Sequence, residues 1–201
     1  MAGILFVVSA PSGTGKTTVI KAVREQVEGL GYSVSHTTRP PRRNERNGVD
    51  YHFVSKEEFT RMIQEGAFVE WAQVYGEYYG TAYETLEMEV GAERDVILDL
   101  DPQGGKNIKS RYGDDSVLIY LLPPDLESLD KRLKTRGTDS GEVIRDRLSS
   151  AFQQIKECLT YDYIIFNETL EAAVDNVCSI VAAERSRAKR MAHLVRERFN
   201  I

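Results

Sequence analysis

Short apolar runs alternate with amphipathic segments along most of this chain. The apolar runs have the length of buried parallel strands, and they predict strands at residues 4–9, 32–35, 95–101, 117–122 and 163–166. Apolar positions spaced three and four residues apart predict helices at residues 17–30, 82–90, 104–112, 126–136 and 142–159, and one long C-terminal helix. Because strands and helices alternate, we predict an α/β fold with a mostly parallel sheet flanked by helices.

Residues 51–81 depart from this alternation, because short strands and polar turns cluster there without long helices. Ser55 and Glu58 have the spacing of a capping box, which opens a helix that ends at Gly66. Strands are predicted on both sides of that helix, at residues 51–54 and within 67–79, with turns at 75–77 and 79–81. We therefore expect a small mixed α/β insertion beside the main sheet.

Composition narrows the class of protein. With 201 residues, of which 41% are hydrophobic, the chain can form one domain with a substantial core. No apolar run approaches the roughly 18 residues of a membrane-spanning helix, so we expect no membrane association. The net charge of −5 argues against a dedicated nucleic-acid partner. The N-terminus lacks a signal peptide's basic segment, and Cys158 and Cys178 lack metal-ligand spacing, so we expect a cytoplasmic protein with reduced thiols.

The turn after the first predicted strand carries a phosphate-binding motif. Residues 10–17 match the pattern G-x-x-x-x-G-K-[ST] except that Ala10 replaces the first glycine, and a strand and a helix flank them as the motif requires. Gly13 and Gly15 would let backbone N–H groups approach phosphate oxygens. Lys16 would reach the β- and γ-phosphates, and the Thr17 hydroxyl would ligate Mg²⁺. The alternative is an ordinary strand–turn–helix with an exposed lysine.

A second candidate site lies in the loop of residues 35–42, which Asp50 and Tyr51 follow. Arg39 and Arg42 flank two prolines that stiffen this loop, so both guanidinium groups can bind one phosphate, each with two parallel donors. From charge alone, a solvated basic loop is an equally good interpretation.

Together with these two motifs, further segments form an ordered set at residues 48–54, 70–72, 78–81, 98–101, 122–124, 132–137 and 162–163. With this set the chain resembles the guanylate kinases nearly from end to end. Alanine at position 10 is frequent among bacterial members of that family. Thr81 stands where many members have serine, and it keeps the hydroxyl group.

The resemblance implies a P-loop phosphotransferase in three parts. A parallel-sheet core would comprise residues 1–34, 83–125 and 150–201, a GMP-binding insertion residues 35–82, and a helical lid residues 126–149. The implied reaction transfers the γ-phosphate of ATP to GMP, with Mg²⁺ as the cofactor. No general base is needed, because the acceptor oxygen of GMP is already ionised at neutral pH.

The resemblance also implies roles for individual residues. The ATP-binding residues would be Ala10, Pro11, Ser12, Gly13, Thr14, Gly15, Lys16, Thr17, Thr18 and, at the adenine, Asn167. The phosphate of GMP would bind to Arg39, Arg42, Tyr51 and Tyr79. The guanine base would bind to Glu70, Ser35, Thr81 and Asp101. The catalytic cations would be Lys16, Arg132, Arg136 and Arg147, and the metal ligands would be Thr17 and Asp99.

Two other functions compete with this one. A non-enzymatic peptide-binding module, like the guanylate-kinase-like domains of scaffold proteins, would typically lack Lys16 or the predicted lid arginines. A kinase acting on a phosphorylated sugar would share the phosphate loop but would not need Glu70. The sequence leaves open whether dGMP is also used and whether the chain forms homo-oligomers, for which the basic C-terminal helix is a candidate contact.

Overall fold

The computed structural model describes residues 3–92, 94–135, 152 and 154–201. Within this part of the chain, strands form two sheets. The strands are β1 (Leu5–Ser9), β2 (Leu30–Ser33), β3 (His36–Thr37), β4 (His52–Phe53), β5 (Phe68–Val74), β6 (Glu77–Ala82), β7 (Asp95–Asp99), β8 (Ser116–Leu122) and β9 (Tyr163–Phe166). The helices are α1 (Lys16–Gln26), α2 (Lys56–Gln64), α3 (Tyr83–Val90), α4 (Pro102–Tyr112), α5 (Leu126–Thr135), α6 (Leu170–Arg185) and α7 (Ala188–Phe199).

The larger sheet has five parallel strands in the order β2-β7-β1-β8-β9, which confirms the predicted α/β fold. Alternate residues of β1 point to opposite faces of this sheet. Phe6 and Val8 pack in a cluster with residues of α1 and α6, whereas Leu5 and Val7 pack in a cluster with residues of α3 and α4. Both faces are therefore covered by helices, as a parallel sheet requires.

The smaller sheet has the order β4-β3-β6-β5 and mixes parallel and antiparallel pairs. Helix α2, which packs on this sheet, begins as predicted, because the Ser55 hydroxyl accepts a hydrogen bond from the Glu58 N–H at 3.1 Å. The Phe59 ring of this helix stacks on Phe68 and Tyr78 of the sheet, with ring centroids 4.4 and 5.4 Å away. These contacts form a second, separate apolar core.

Some predicted boundaries were wrong for identifiable reasons. The turn predicted at residues 79–81 lies inside β6, where a Cβ on Gly80 would stand only 2.8 Å from the Phe68 ring. The helix predicted at 17–30 ends at Gln26, because Val27 is extended and Gly29 adopts a φ of 73° before β2 begins. The predicted single C-terminal helix is two helices, since Arg187 between them has an extended ψ of 133°.

Within the described part of the chain, none of the helices is both long and apolar enough to cross a bilayer. Residues 154–157 are helical and belong to the helix predicted at 142–159, of which residues 142–151 and 153 lie outside the described residues. The same holds for the part of the predicted lid after Thr135.

Candidate active site

The loop between β1 and α1 has the geometry of an anion site. Gly13 and Gly15 have φ values of 94° and 100°, which residues with a side chain rarely adopt. The Thr14 N–H donates to the Pro11 carbonyl at 3.2 Å, which closes the turn before the helix. Gly15 is the N-cap of α1, and no side chain caps it. The first N–H groups of α1 and the positive end of its dipole are therefore positioned to bind a phosphate.

Lys16 and Thr17, in the first turn of α1, both contact Asp99 at the end of β7. The Lys16 Nζ atom lies 2.5 Å from Oδ1 of Asp99 and donates to the Leu100 carbonyl at 2.8 Å. The Thr17 hydroxyl donates to Oδ2 of Asp99 at 3.4 Å. A hydroxyl and a carboxylate fit Mg²⁺, which prefers oxygen ligands and usually takes one or two protein groups beside substrate phosphates. The described residues contain no group of three or more His, Cys, Asp or Glu that could hold a metal.

Asn167, which follows β9, is hydrogen-bonded to the backbone of the phosphate loop. Its side chain is buried and donates from Nδ2 to the Thr14 carbonyl at 2.7 Å. The same nitrogen lies 3.0 Å from the point where a Cβ on Gly15 would stand. The structure thus links Asn167 to the backbone of the loop, and its predicted contact with adenine stays a prediction.

Arg39 is held on several sides in the loop after β3. Its Nη2 atom donates to both carboxylate oxygens of Glu45, at 2.9 and 3.0 Å, and Nη1 donates to the Pro40 carbonyl at 2.7 Å. The guanidinium carbon also lies 5.5 Å from the centre of the Tyr51 ring. Glu45 additionally accepts the Arg42 N–H at 2.8 Å, so one carboxylate organises both arginines.

The electrostatics of this loop keep Glu45 ionised beside the arginines and Tyr51 protonated. Burial alone would raise the pKa of Glu45, but hydrogen bonds from Arg39 and Arg42 hold it below its usual value. The negative charge of Asp99, together with burial, raises the pKa of Tyr51. Tyr51 therefore keeps its proton and can donate a hydrogen bond. Its ring lies 6.1 Å from that of Tyr79, which brings the two predicted phenolic donors together.

Glu70 on β5 is a carboxylate with 5% of its surface exposed. Its Oε1 atom accepts the Thr81 N–H at 3.1 Å, across the pair of strands β5 and β6. Burial raises the pKa of Glu70 to about 7, against the lowering effect of the hydrogen bond from the Thr81 N–H, and the nearby charge of Asp101 raises it further. Asp101 caps α4, because its Oδ1 accepts the Gly104 N–H at 2.7 Å. The buried hydroxyl of Ser35 has no hydrogen-bond partner among the described residues.

One cavity of about 370 Å³ connects these groups, a volume in the range of small-molecule sites. Most of the predicted site residues line it, namely Ala10, Pro11, Ser12, Gly13, Gly15, Lys16, Thr17, Thr18, Ser35, Arg39, Arg42, Tyr51, Glu70, Tyr79, Asp99 and Asp101. Thr14, Thr81 and Asn167 are buried residues that contact this set through the hydrogen bonds given above. The side chain of Arg132, and the whole of Arg136 and Arg147, lie outside the described residues.

Among the polar residues that sequence reasoning misses at this site are Glu45 and Gln154. Glu45 is hidden in a run of charged residues, although its spacing of three from Arg42 is a usable signal. Gln154 lines the cavity, and its Oε1 atom is buried without a hydrogen-bond partner in the described part of the chain. No local pattern distinguishes Gln154 from an ordinary helical glutamine.

Comparisons with known proteins agree with one another. The family model described as Guanylate kinase matches residues 3–184. The guanylate kinase of Syntrophotalea carbinolica is 48% identical over 94% of this chain and 90% of that protein. The guanylate kinase of Geobacter metallireducens is 45% identical over 99% of this chain and 98% of its own length. A crystal structure of guanylate kinase from Anaplasma phagocytophilum superimposes with a TM-score of 0.82 at 32% identity, covering 100% of this chain and 97% of the other.

Proposed function

The chain belongs to the guanylate kinase family, whose members convert ATP and GMP to ADP and GDP, and from this premise we propose which of its residues bind each nucleotide. The observation that carries the proposal is the single cavity in which the phosphate loop faces the Arg39 and Glu70 sites. Phosphoryl transfer between two nucleotides needs little covalent chemistry from the protein. Positioning and charge stabilisation supply most of the catalysis.

The phosphate loop would bind the triphosphate of ATP. The N–H groups at the start of α1 donate to phosphate oxygens, and Lys16 exchanges its contact with Asp99 for the β- and γ-phosphates. Thr17 and Asp99 would hold Mg²⁺, which, when bound, neutralises the charge shared by the phosphates. Asn167 keeps the loop in place through the Thr14 carbonyl.

The phosphate of GMP would bind between Arg39, Arg42, Tyr51 and Tyr79. Glu45 holds Arg39 in place through its carboxylate, and the side chain of Arg42 is 49% exposed and able to reach a ligand. A dianionic phosphate that meets two guanidinium groups and two phenolic donors gains charge-assisted hydrogen bonds in a partly desolvated site. This set fixes the acceptor oxygen for attack on ATP.

Glu70 would select guanine. Guanine presents two adjacent donors, its N1–H and its 2-amino group, to which an ionised carboxylate is complementary. Adenine has no matching pair of donors, so its binding would leave the buried Glu70 without partners. Mismatches of this kind reject the wrong substrate by up to about 10⁴-fold. Ser35, Thr81 and Asp101 would complete the base pocket.

We further propose that Arg132, Arg136 and Arg147 neutralise the transferring phosphoryl group. Residues 126–149 would act as a lid and residues 35–82 as the GMP-binding insertion, with residues 1–34, 83–125 and 150–201 as the core. The negative net charge argues against a nucleic-acid partner, and the free thiols of Cys158 and Cys178 favour a cytoplasmic location.

A direct assay, in which the nucleotides are separated by chromatography, tests the proposed function. ADP formation is measured with ATP and, in turn, GMP, dGMP, AMP, CMP and UMP, each with Mg²⁺ and again with excess EDTA. We expect turnover with GMP and its loss with EDTA. Turnover with AMP at a rate similar to that with GMP would contradict the base pocket, and full activity in EDTA would contradict the roles of Thr17 and Asp99.

A further inference from the structure

Gly104, in the first turn of α4, lies against the carboxylate of Glu70. A Cβ at this position would stand 2.6 Å from Oε2 and 3.2 Å from Cδ of Glu70. It would also lie 3.3 Å from Oδ1 of Asp101, so two carboxyl groups of the base pocket approach the same point. The shorter distances are below van der Waals contact, and a side chain here would require Glu70 to move.

The backbone at this position does not itself require glycine. Gly104 has a helical conformation and is not among the glycines with positive φ. Within a helix, glycine is less favourable than alanine because it loses more conformational entropy. Helix propensity and backbone conformation alone would therefore favour alanine at this position, and it is the contact with Glu70 that leaves no room for a side chain.

Glu70 is confined from two directions. Its Oε1 atom accepts the Thr81 N–H, while Oε2 faces Gly104, and the residue is almost completely buried. A carboxylate at the end of a flexible side chain can shift at small cost to the fold. Such a shift would change the orientation of the oxygens that, in the proposed function, meet the donors of guanine.

We propose that Gly104 is a specificity-determining position, whose missing side chain sets the orientation in which Glu70 reads guanine. The inference rests on the proposed role of Glu70. Gly104 acts as a positioning residue, since its own N–H is already used by Asp101 and would be kept in an alanine variant.

The test is the variant G104A, with kcat/KM measured for GMP and for IMP, which lacks the 2-amino group. Because a misplaced catalytic or binding group can cost up to about 10²-fold, we expect kcat/KM for GMP to fall by about 10- to 100-fold. The kcat/KM for IMP should fall less, so the ratio of kcat/KM for GMP to that for IMP should decrease. The KM for ATP should stay within about twofold of the wild type. An unchanged GMP-to-IMP ratio would overturn the proposal.

The adjacent glycine offers a matched control. In G105A the new Cβ would stand 2.6 Å from the hydroxyl of Tyr161, a clash of the same size in the same helical turn but away from Glu70. We expect this variant to keep the wild-type GMP-to-IMP ratio. An equal change of the ratio in both variants would mean that α4 packing in general, and not the contact with Glu70, sets the specificity, which would contradict the proposal.

A double-mutant cycle with E70Q separates this inference from the function on which it rests. If Gly104 acts through Glu70, the G104A change should add little once Glu70 is replaced. If the losses of kcat/KM for GMP in the two single variants multiply in the double variant, the proposal is overturned. If E70Q alone keeps the wild-type ratio of kcat/KM for GMP and IMP, the role of Glu70 is contradicted instead. If G104A folds poorly, G104A/E70A should fold normally, and its failure to do so would show that the clash is not with Glu70.

Discussion

The ammonium group of Lys16 lies 2.5 Å from Oδ1 of Asp99. Lys16 follows β1 through the phosphate loop, and Asp99 is the last residue of β7, the strand that pairs with β1. The register of β1 and β7, which pairs Val8 with Asp99, brings the phosphate loop next to this carboxylate. Ligands of α/β proteins bind at the carboxyl ends of parallel strands, and this pair lies at that edge. The cation and the metal ligand of the proposed ATP site are thus placed by strand pairing.

Replacement of Lys16 by methionine keeps much of the side-chain volume and removes the charge that would stabilise the transferring phosphoryl group. We expect kcat to fall by about 10³-fold or more, a loss typical of a cation aimed at transition-state charge. The protein should still fold, because Asp99 keeps the Thr17 hydroxyl as a donor. The control is Lys21→Met, an exposed lysine of the same helix. Near-normal kcat in the Lys16 variant would contradict the assignment of the phosphate loop.

Arg39→Ala and Arg42→Ala should each raise the KM for GMP. Loss of one charge-assisted contact to phosphate costs about 2 kcal/mol, or about 30-fold in KM. The KM for ATP should change little, and Arg43→Ala, in an exposed position of the same loop, should behave like the wild type. A rise in the KM for ATP instead of GMP would assign the loop to the other nucleotide.

The two arginine variants should differ in stability. Arg39 makes two hydrogen bonds to Glu45, whereas Arg42 contacts Glu45 through a side chain that is half exposed. Arg39→Ala should therefore lower the free energy of unfolding by about 1–3 kcal/mol, and Arg42→Ala by less than about 1 kcal/mol. Urea unfolding of both variants measures the difference, and equal stabilities would contradict the role of Glu45 as the partner of Arg39.

The raised pKa of Glu70 predicts a pH-dependent stability. Its pKa is about 7 in the folded protein and 4.5 for the ordinary side chain, so the folded state binds the proton more tightly. The contribution of this bound proton to the free energy of unfolding is complete below about pH 4.5 and is lost as the pH rises through about 7. Relative to wild type, E70Q should therefore have an equal Tm at about pH 4.5 and a higher Tm at about pH 8.5. A lower Tm for E70Q at the higher pH would contradict the proposed cost of burying this carboxylate.

Sequence patterns locate the inner strands of the main sheet because these are continuous apolar runs, as in β8. For the edge strand β2, which contains glycine and polar residues, the predicted range of 32–35 lies two residues beyond the observed Leu30–Ser33. Sequence patterns fail at Gly80, which is a turn signal by type but is needed in β6 for close contact with the rings of Phe68 and Phe59. They also fail at residues 27–30, where apolar spacing continues past the end of α1 because the same residues lead into β2. Each of these errors arises where tertiary packing, and not local periodicity, determines the conformation.

The residues of the candidate site are more predictable than the element boundaries. Lys16 and Arg39, each marked by a motif, and Glu70, which the resemblance implies, line one cavity although they belong to different parts of the fold. Glu45, Gln154 and Gly104 are not predicted, because their importance depends on contacts that no local pattern encodes. For Gly104, on α4, that contact is with a residue 34 positions away on β5.

Whether Glu70 reads the two donors of guanine is tested most directly by kcat/KM of E70Q for GMP and IMP. Glutamine presents one acceptor oxygen and one amide donor, so one contact to guanine becomes a donor–donor mismatch while the volume hardly changes. We expect kcat/KM for GMP to fall by about 10²-fold or more, and that for IMP to fall less, so the ratio between them narrows. A GMP-to-IMP ratio that is the same in the wild type and in E70Q would contradict this role of Glu70.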